Sequence, residues 1–297
     1  MSTTRRDKVI DILLLALTVL PIVCCMVLQI LCKPASEGID VTGAMIYFTI
    51  PMPLQDLPIT ESQINSWAVV LTIIGLTLFL TRRLRVKDIS VRQHVAEWIV
   101  EKTEGLVKDN MDPYFRNFGP LIGTILGLSA FSSLLSLCGL FAPTSDLNIV
   151  AGWAIFVFIL ITYYKFKCGP LYYLKGLTEP VAVLTPINLI GEFATPISMA
   201  FRHYGNVLSG SVIAVLVATG LQGLSSLVFG WIPILGEIPL LRIGIPAILS
   251  IYFDLFSGCL QAFIFAMLTM MYVSGGFPAE EFFARRAKID AKKQSRR

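Results

Sequence analysis

The chain has 297 residues, of which 55% are hydrophobic and only 15% are charged, and its mean hydropathy is +0.72. Soluble domains carry roughly 25% charged residues, so this composition indicates a protein embedded in a lipid bilayer. The net charge is a modest +4, and no nucleic-acid partner is expected. A glycine-rich phosphate-binding loop is missing from the sequence, which argues against a nucleotide site. The six cysteines and two histidines lack metal-site spacing, so neither a metal nor another cofactor is expected.

The N-terminal region, residues 1–63, is predicted to hold one membrane helix and one external loop. An apolar run at residues 9–32 follows a short basic segment and is long enough to cross a bilayer. A cleaved signal peptide is the alternative, but no small-residue cleavage motif follows promptly, which favours a retained helix. Residues 33–63 are rich in Pro, Ser, Asp and Glu and are predicted to form a loop.

Residues 64–275 are predicted to form the main membrane domain. The further spans are expected at residues 64–81, 118–141, 149–164, 181–236 and 243–273. This gives an all-α membrane protein with about six membrane helices. The last two segments exceed the ~20 residues that cross a ~30 Å hydrocarbon core, so they are expected to be long and tilted. In the first of them, a break is predicted around Gly220, Gly223, Gly230 and Pro233, unless the segment forms two shorter pieces.

Three other segments are predicted between or beyond the spans. Residues 88–110 place Val91, Val95 and Trp98 at helical spacing among charged residues, which predicts an amphipathic helix on the membrane surface. Residues 168–180 are predicted to form a loop. Residues 276–297 are predicted to form a basic, soluble, cytoplasmic tail.

The basic residues predict the orientation in the membrane. Lys and Arg cluster at the N-terminus and at residues 82–87, 165–175 and 285–297. The intervening loops, 33–63 and 142–148, carry only Lys33. Because Lys and Arg accumulate on the cytoplasmic side of membrane proteins, both termini are predicted to be cytoplasmic.

One arginine lies deep inside the fifth predicted span, whose only charged residues are Glu192 and Arg202. A charge at the bilayer centre costs ~2.5–3.5 kcal/mol even on lenient scales, so such residues usually face a partner or a water-filled path. On a helix Ser198, Gly205 and Ser209 share one face with Arg202. Small residues on that face would let a partner helix come close. The alternative is a structural charge that pairs with Glu192 or with a distant carboxylate.

A second polar stripe is predicted on the last span. At α-helical spacing it would comprise Ser250, Asp254, Ser257, Gly258 and Gln261. Packing explains serine and glycine on such a stripe, but it does not explain an aspartate. Asp254 is therefore expected to line a hydrated ion path, with a structural ion pair to Arg202 as the alternative.

Three motifs resemble the ATP synthase subunit a family, the membrane stator subunit of the rotary F-type enzyme. They are PISMAFRHYGN at residues 196–206, LQAFIFAMLTMMY at residues 260–272 and PTSDLN at residues 143–148. The resemblance covers roughly residues 60–275. It implies an ion-conducting, non-catalytic subunit in the inner membrane of a bacterium. It also implies as partners a c-ring of two-helix subunits that each carry a carboxylate, peripheral-stalk subunit b and the remaining ATP synthase subunits.

The resemblance also implies roles for matched residues. Arg202 matches the family's essential arginine, which gates ion transfer, Asn206 matches the asparagine of the same motif, and Gln261 matches the glutamine that faces the arginine. Two positions depart from the family pattern, with Ser211 and Asp254 where other members have acidic residues or histidine. The ion path expected on these grounds comprises Asn206, Ser211, Asp254, Ser257 and Gln261 on the outer side and Glu192 and Glu179 on the inner side. Ser133 and Ser136 are additional candidates for the outer path.

Two other function classes compete with this interpretation. A self-contained secondary transporter would also place charges at mid-membrane, although such proteins usually show internal repeats and none is visible here. A membrane-embedded enzyme would need a nucleophile–base pair or a metal site, and the sequence offers neither. The sequence does not decide whether the ion is H⁺ or Na⁺.

Overall fold

The structure, a computed structural model, describes residues 5–32, 43–53, 55–87, 89–178, 182–229 and 244–294. Within these ranges, six helical segments are long and apolar enough to cross a membrane. The β structure of the same ranges is one small two-stranded sheet. The predicted all-α membrane architecture is therefore confirmed.

The helices follow one another with short connections. The α-helices are α1 (Arg5–Cys32), α2 (Glu61–Thr81), α3 (Val91–Asn110), α4 (Gly119–Leu134), α5 (Leu147–Lys165), α6 (Pro170–Thr178), α7 (Thr185–Phe229), α8 (Ile245–Ser250), α9 (Gly258–Gly275) and α10 (Ala279–Gln294). Short 3-10 helices occupy Pro113–Phe118, Leu135–Cys138, Pro143–Ser145, Phe166–Cys168 and Ala182–Leu184. A π-helical segment, Ile251–Ser257, joins α8 directly to α9.

The N-terminal helix α1 packs against α2. Gly75 makes this approach possible, because a Cβ atom there would lie 2.9 Å from the Thr18 side chain. A cluster of charges joins α1 to the end of α2 and the start of α3, through the pairs Arg82–Asp11 at 2.6 Å, Arg82–Asp7 at 3.5 Å, Arg92–Asp11 at 3.5 Å and Arg83–Asp7. These contacts attach α1 to the end of α2 and to α3.

The external loop predicted at residues 33–63 contains a hairpin. Strands β1 (Ile46–Ile50) and β2 (Leu57–Thr60) pair antiparallel, with Ile50 opposite Leu57. The run IYFTI is rich in β-branched and aromatic residues, which favour extended backbone. The prediction of a plain loop is therefore wrong for residues 46–50 and 57–60, and also for residues 61–63, which begin α2, while residues 33–42 lie outside the described residues.

The amphipathic helix α3 lies against the glycine-rich face of α4. A Cβ at Gly119 would lie 3.1 Å from Glu104, and one at Gly123 would lie 3.3 Å from Thr103. On the other side of α3, Val91 and Trp98 are exposed. This arrangement leaves an apolar surface of α3 free to lie on a bilayer, as predicted.

Two predictions about the segments around α7 need correction. The loop predicted at residues 168–180 contains α6, which begins with a proline at its first position, where the missing N–H group is not needed. The long helix α7 spans 45 residues and continues through Gly220 and Gly223, so the predicted break does not occur there. In a membrane an unbroken helix satisfies its own backbone hydrogen bonds, which outweighs the ~1 kcal/mol that a glycine costs. Gly230 and Pro233 lie outside the described residues.

The C-terminal region folds back onto the bundle. Phe277 joins the main hydrophobic core, which α9 shares with α4, α5 and α7. Lys167 donates a hydrogen bond of 2.6 Å to the Tyr114 hydroxyl, and its ammonium group lies 5.9 Å from the centre of the Phe282 ring in α10. The tail predicted at residues 276–297 is basic as expected, but residues 279–294 form the helix α10.

Candidate functional site

Helix α7 has two faces of different character around residue 200. Its inner face packs into the protein, and Met199, Ala200 and His203 are almost completely buried. Its outer face carries Ser198 and Arg202, both exposed. The 100° step between successive helical residues separates Arg202 from His203, so the arginine points away from the bundle.

The face predicted from the sequence is therefore present, and the described part of the chain leaves it open. Ser209 is exposed along with Ser198 and Arg202, and no neighbouring atom among the described residues lies within 4 Å of the position that a Gly205 Cβ would take. A helix from another molecule could approach this surface closely.

No carboxylate in the described part of the chain forms an ion pair with Arg202. Glu192, one of the partners considered above, is bound elsewhere. Its carboxylate pairs with the Lys165 ammonium at 2.6 Å and accepts a hydrogen bond from the Tyr173 hydroxyl. The interpretation of Arg202 as a structural charge paired with Glu192 is therefore not supported.

The Glu192 cluster lies beside open space at one end of the bundle. Lys165, Glu192 and Thr195 line both a cavity of about 230 Å³ and a wider one of about 880 Å³. Burial, followed by the hydrogen bond and the negative charge of Glu192, raises the pKa of Tyr173 to about 12. The Tyr173 hydroxyl therefore remains a donor to Glu192 at neutral pH. Glu179, the other candidate for the inner path, lies outside the described residues.

Two contacts join α7 to the π segment. Asn206 donates a hydrogen bond from Nδ2 to the Ser257 hydroxyl at 2.7 Å. One turn further along α7, a Cβ at Gly210 would lie 3.0 Å from the Phe253 ring, so only glycine fits without movement. The structure thus brings together Asn206 and Ser257, two of the residues predicted for the ion path.

The predicted stripe on the last span is altered by the π segment. Asp254 lies within it, and i→i+5 hydrogen bonding widens the turn and changes which residues share a face. The half-buried Asp254 lies near Ser136, on the 3-10 helix after α4. The single polar stripe assumed α-helical spacing throughout and is wrong in that respect, and the side chain of Ser250 lies outside the described part.

Two further residues predicted for the ion path, Gln261 and Ser211, form no hydrogen bond with Arg202 among the described residues. Gln261 is buried, and no hydrogen bond joins it to Arg202 within the described residues. The exposed Ser211 donates its hydroxyl proton to the Leu208 carbonyl of its own helix at 2.8 Å.

The structure also reveals polar residues that the sequence reasoning missed. His203 is fully buried on the inner face of α7, next to Ser129. Ser129 and Ser132 are buried on α4, along with the candidate Ser133. These serines could have been identified from the sequence, because their spacing in SAFSS places them on one side of a helix. Among the described residues, no group of three His, Cys, Asp or Glu side chains could hold a metal ion.

Comparison with known proteins identifies the family. Residues 64–274 match the sequence model described as "ATP synthase A chain". The chain is 33% identical to ATP synthase subunit a of Priestia megaterium, over 74% of this chain and 94% of that protein. It is 29% identical to "ATP synthase subunit a, sodium ion specific" of Propionigenium modestum, over 82% of this chain and 88% of that protein. The chain therefore belongs to the ATP synthase A chain family.

Proposed function

We propose that this chain is the ion-translocating stator subunit of an F-type ATP synthase, and that Arg202 acts as a gate against a rotating c-ring. The observation that carries the proposal is the exposed face of α7 with Arg202 at its centre. Facing lipid, an arginine would be costly, because a charge at the bilayer centre is expensive. A neighbouring subunit with a membrane carboxylate would remove that cost.

The gate follows from electrostatics. A rotor carboxylate that faces lipid must be neutral, since an ion there is too costly. Opposite Arg202 it can be ionised, because two charges ~4 Å apart at an effective dielectric constant of ~20 attract by about 4 kcal/mol. Arginine cannot pass the proton on, because its guanidinium group stays protonated in proteins. Arg202 would therefore make the carboxylate release its ion and would block a direct leak between the two sides.

The two half-channels are assigned to opposite sides of this gate. On the inner side, the cavities beside Glu192 and Lys165 would give access from the cytoplasm. On the outer side, the path would be lined by Asp254, by Ser257 and by Asn206, which is hydrogen-bonded to Ser257. Gln261 and Ser211 remain candidates for the outer path, as does Glu179 for the inner one.

Orientation and partners belong to the same proposal. Both termini would be cytoplasmic in a bacterial inner membrane, because the basic residues concentrate on that side. The chain would not be an enzyme itself, and it would work with the c-ring and peripheral-stalk subunit b. The Propionigenium modestum relative is named as sodium-specific. Measuring ATP-driven acidification of vesicles with and without Na⁺ would show which ion this chain conducts.

The decisive experiment uses Arg202 variants of the assembled complex in vesicles. We expect Arg202→Ala to abolish ATP-driven pumping and to open a passive leak. Arg202→Lys should also fail substantially, because a point charge lacks the planar guanidinium. Arg286→Ala, which removes an exposed arginine from α10, is the control. Normal coupled pumping by Arg202→Ala would refute the gate.

A secondary transporter remains the alternative function, and purification separates the two. A transporter of that kind should move ions when reconstituted alone. The stator subunit should be inactive alone and should co-purify with a small, two-helix protein that carries a membrane carboxylate. Activity of the isolated chain would favour the transporter.

A further inference from the structure

His203 is a buried polar residue to which the function proposed above gives no role. Its Nε2 lies 3.4 Å from the Ser129 hydroxyl of α4. Its ring meets those of Trp153 and Phe265 edge-on, at centroid distances of 6.1 Å and 5.7 Å. Three helices, α4, α5 and α9, thus hold the imidazole in place.

One nitrogen of this ring has no hydrogen-bond partner. His203 Nδ1 is buried, and no described residue bonds to it. A buried donor or acceptor left unpaired costs free energy, whereas a phenylalanine in the same pocket would avoid that cost. Buried water commonly satisfies such atoms when other polar groups stand nearby.

The polar groups that could hold water lie on one face of α4 and the 3-10 helix that follows it. This hydroxyl face comprises Ser129, Ser132, Ser133 and Ser136, spaced at i, i+3, i+4 and i+7. Like His203 Nδ1, the Ser132 hydroxyl is buried and has no hydrogen-bond partner among the described residues.

The hydroxyl face connects two distant places. Near the connection between α4 and α5, the Ser133 hydroxyl lies 3.4 Å from that of Thr144. Next to it, Ser136 lies near Asp254. At the other end, Ser129 contacts His203. Hydroxyl groups therefore run from the α4–α5 connection to the helix that carries Arg202.

We propose that His203 is the inner end of a hydrated path along the hydroxyl face and holds a water molecule of that path next to the helix that carries Arg202. The inference rests on the proposed function, since it assigns a residue to the outer half-channel. Imidazole suits this role, because one nitrogen can bond to Ser129 while the other bonds to water. On the same helix, the next polar group on the His203 side is Asn206, which is bound to Ser257.

The test uses two variants of the assembled complex, one that keeps the aromatic ring at position 203 and one that keeps a polar group there. His203→Phe keeps the ring contacts with Trp153 and Phe265 but cannot hold water. His203→Gln loses the ring but remains polar. If His203 holds the water, Phe should lower ATP-driven ion flux about tenfold or more, while Gln should stay within about threefold of the parent. If the ring serves only for packing, Phe should be active and Gln should not, and that result would overturn the proposal.

Two further measurements keep the result interpretable. Thr269→Val is the matched control, because this buried hydroxyl bonds to the Phe265 carbonyl of its own helix and should not matter for flux. In a variant without native cysteines, Ser132→Cys should react with a small water-soluble thiol reagent, whereas Thr269→Cys should not. An unreactive cysteine at 132 would overturn the hydrated path even if His203→Phe failed to assemble.

Failure of this inference is distinguishable from failure of the proposed function. If Arg202→Ala loses coupled pumping while His203→Phe pumps normally, only the role of His203 is wrong. If Arg202→Ala pumps normally, the stator function itself fails.

Discussion

Asn206 of α7 donates a hydrogen bond to Ser257, the last residue of the π segment, with 2.7 Å between Nδ2 and Oγ. Asn206 lies one helical turn beyond Arg202, so this bond ties the arginine-bearing helix to the segment that carries Asp254. Hydrogen bonds between membrane helices contribute on average about 0.6 kcal/mol, which corresponds to a roughly threefold effect.

Removing this bond should weaken ion transfer without dismantling the protein. We expect Ser257→Ala to lower ATP-driven flux about threefold, because Asn206 loses its acceptor next to the gate. Ser257→Thr, which retains a hydroxyl, should keep most of the flux. The measurement is pumping per assembled complex in vesicles.

Ser226→Ala provides the control for that measurement. Ser226 is exposed on α7, and its hydroxyl bonds to the Gly223 carbonyl of the same helix at 2.8 Å. Its removal should leave flux unchanged. Equal losses in Ser226→Ala and Ser257→Ala would contradict a specific role of the Asn206–Ser257 bond.

The membrane spans and the exposed arginine face could be predicted because both depend on local patterns. Long apolar runs must form helices in a bilayer, since no other open structure satisfies the backbone there. Likewise, Ser198, Arg202 and Ser209 share a face because regular helix geometry places them together.

The remaining features depend on contacts between distant segments. The sequence places Asp254 on an α-helical stripe, but the structure has a π segment there, with Phe253 packed against Gly210. The spacing of residues in the sequence does not predict this π segment. The pairing of Glu192 with Lys165 joins α7 to α5 across 27 residues, and spacing along one helix cannot reveal it. For the same reason, the contact between His203 and Ser129 was missed.

Two glycines should respond to enlargement in opposite ways. A Cβ at Gly258 would lie 2.8 Å from the Ser133 Cβ, so Gly258→Ala should force α9 away from α4. Overpacking of this kind typically costs ~1–3 kcal/mol, and we expect less assembled complex. A Cβ at Gly205 would have no neighbouring atom within 4 Å among the described residues, so Gly205→Ala should fold normally. It should nevertheless impair pumping, because the added methyl group would meet the rotor.

The glycine prediction is checked by measuring assembled complex and pumping separately. Gly223→Ala is the control, since this position also has nothing within 4 Å and lies far along α7 from Arg202. Normal pumping by Gly205→Ala, together with normal assembly, would argue against a close partner at the arginine face.

The raised pKa of Tyr173 predicts how the stability of the protein changes at alkaline pH. This pKa is raised from 10.0 to about 12, mainly by burial and then by Glu192. Between these two pH values the folded protein retains a proton on Tyr173 that the unfolded chain has lost. The free energy of unfolding should therefore fall as pH rises from 10 to 12. Below pH 10 this group should not affect how stability depends on pH. Tyr173→Phe should remove this contribution.

The measurement compares thermal unfolding of the parent and Tyr173→Phe between pH 8 and 11.5. The difference between them should stay constant up to about pH 10 and then shrink. Other tyrosines, including Tyr47 with a pKa also raised to about 12, act equally in both proteins and cancel. A difference that grows above pH 10 would contradict the assignment.

The N-terminal helix α1 is expected to remain in the mature protein. Asp11 pairs with Arg82 at 2.6 Å and with Arg92 at 3.5 Å, so loss of α1 would leave two arginines without these partners. Intact-mass measurement of the purified subunit should therefore include residues 1–32. In addition, Asp11→Asn should reduce the amount of assembled complex more than Asp56→Asn, which changes an exposed aspartate of the hairpin connection. A mass that lacks this segment would show a cleaved signal.

The final prediction concerns Asp254 in the π segment. Substitutions at this position should distinguish a role in transport from a structural role. Ser136, which lies near Asp254, donates its single hydroxyl proton to the Ser133 carbonyl at 2.7 Å. An asparagine at 254 has nearly the same size and shape as the aspartate, so packing should survive the exchange.

We therefore expect Asp254→Asn to assemble normally but to reduce ion flux about tenfold or more, because an amide neither carries a proton nor attracts a cation. Asp254→Glu should retain much of the flux, since the longer carboxylate remains on the path. As a counter-ion for Arg202, Asp254 would behave differently, because its removal would leave the arginine in the membrane without a partner and complex would disappear in proportion to flux. Quantifying assembled complex and flux in the same membranes distinguishes these outcomes: a parallel loss would remove Asp254 from the half-channel, whereas a selective loss of flux would assign it there.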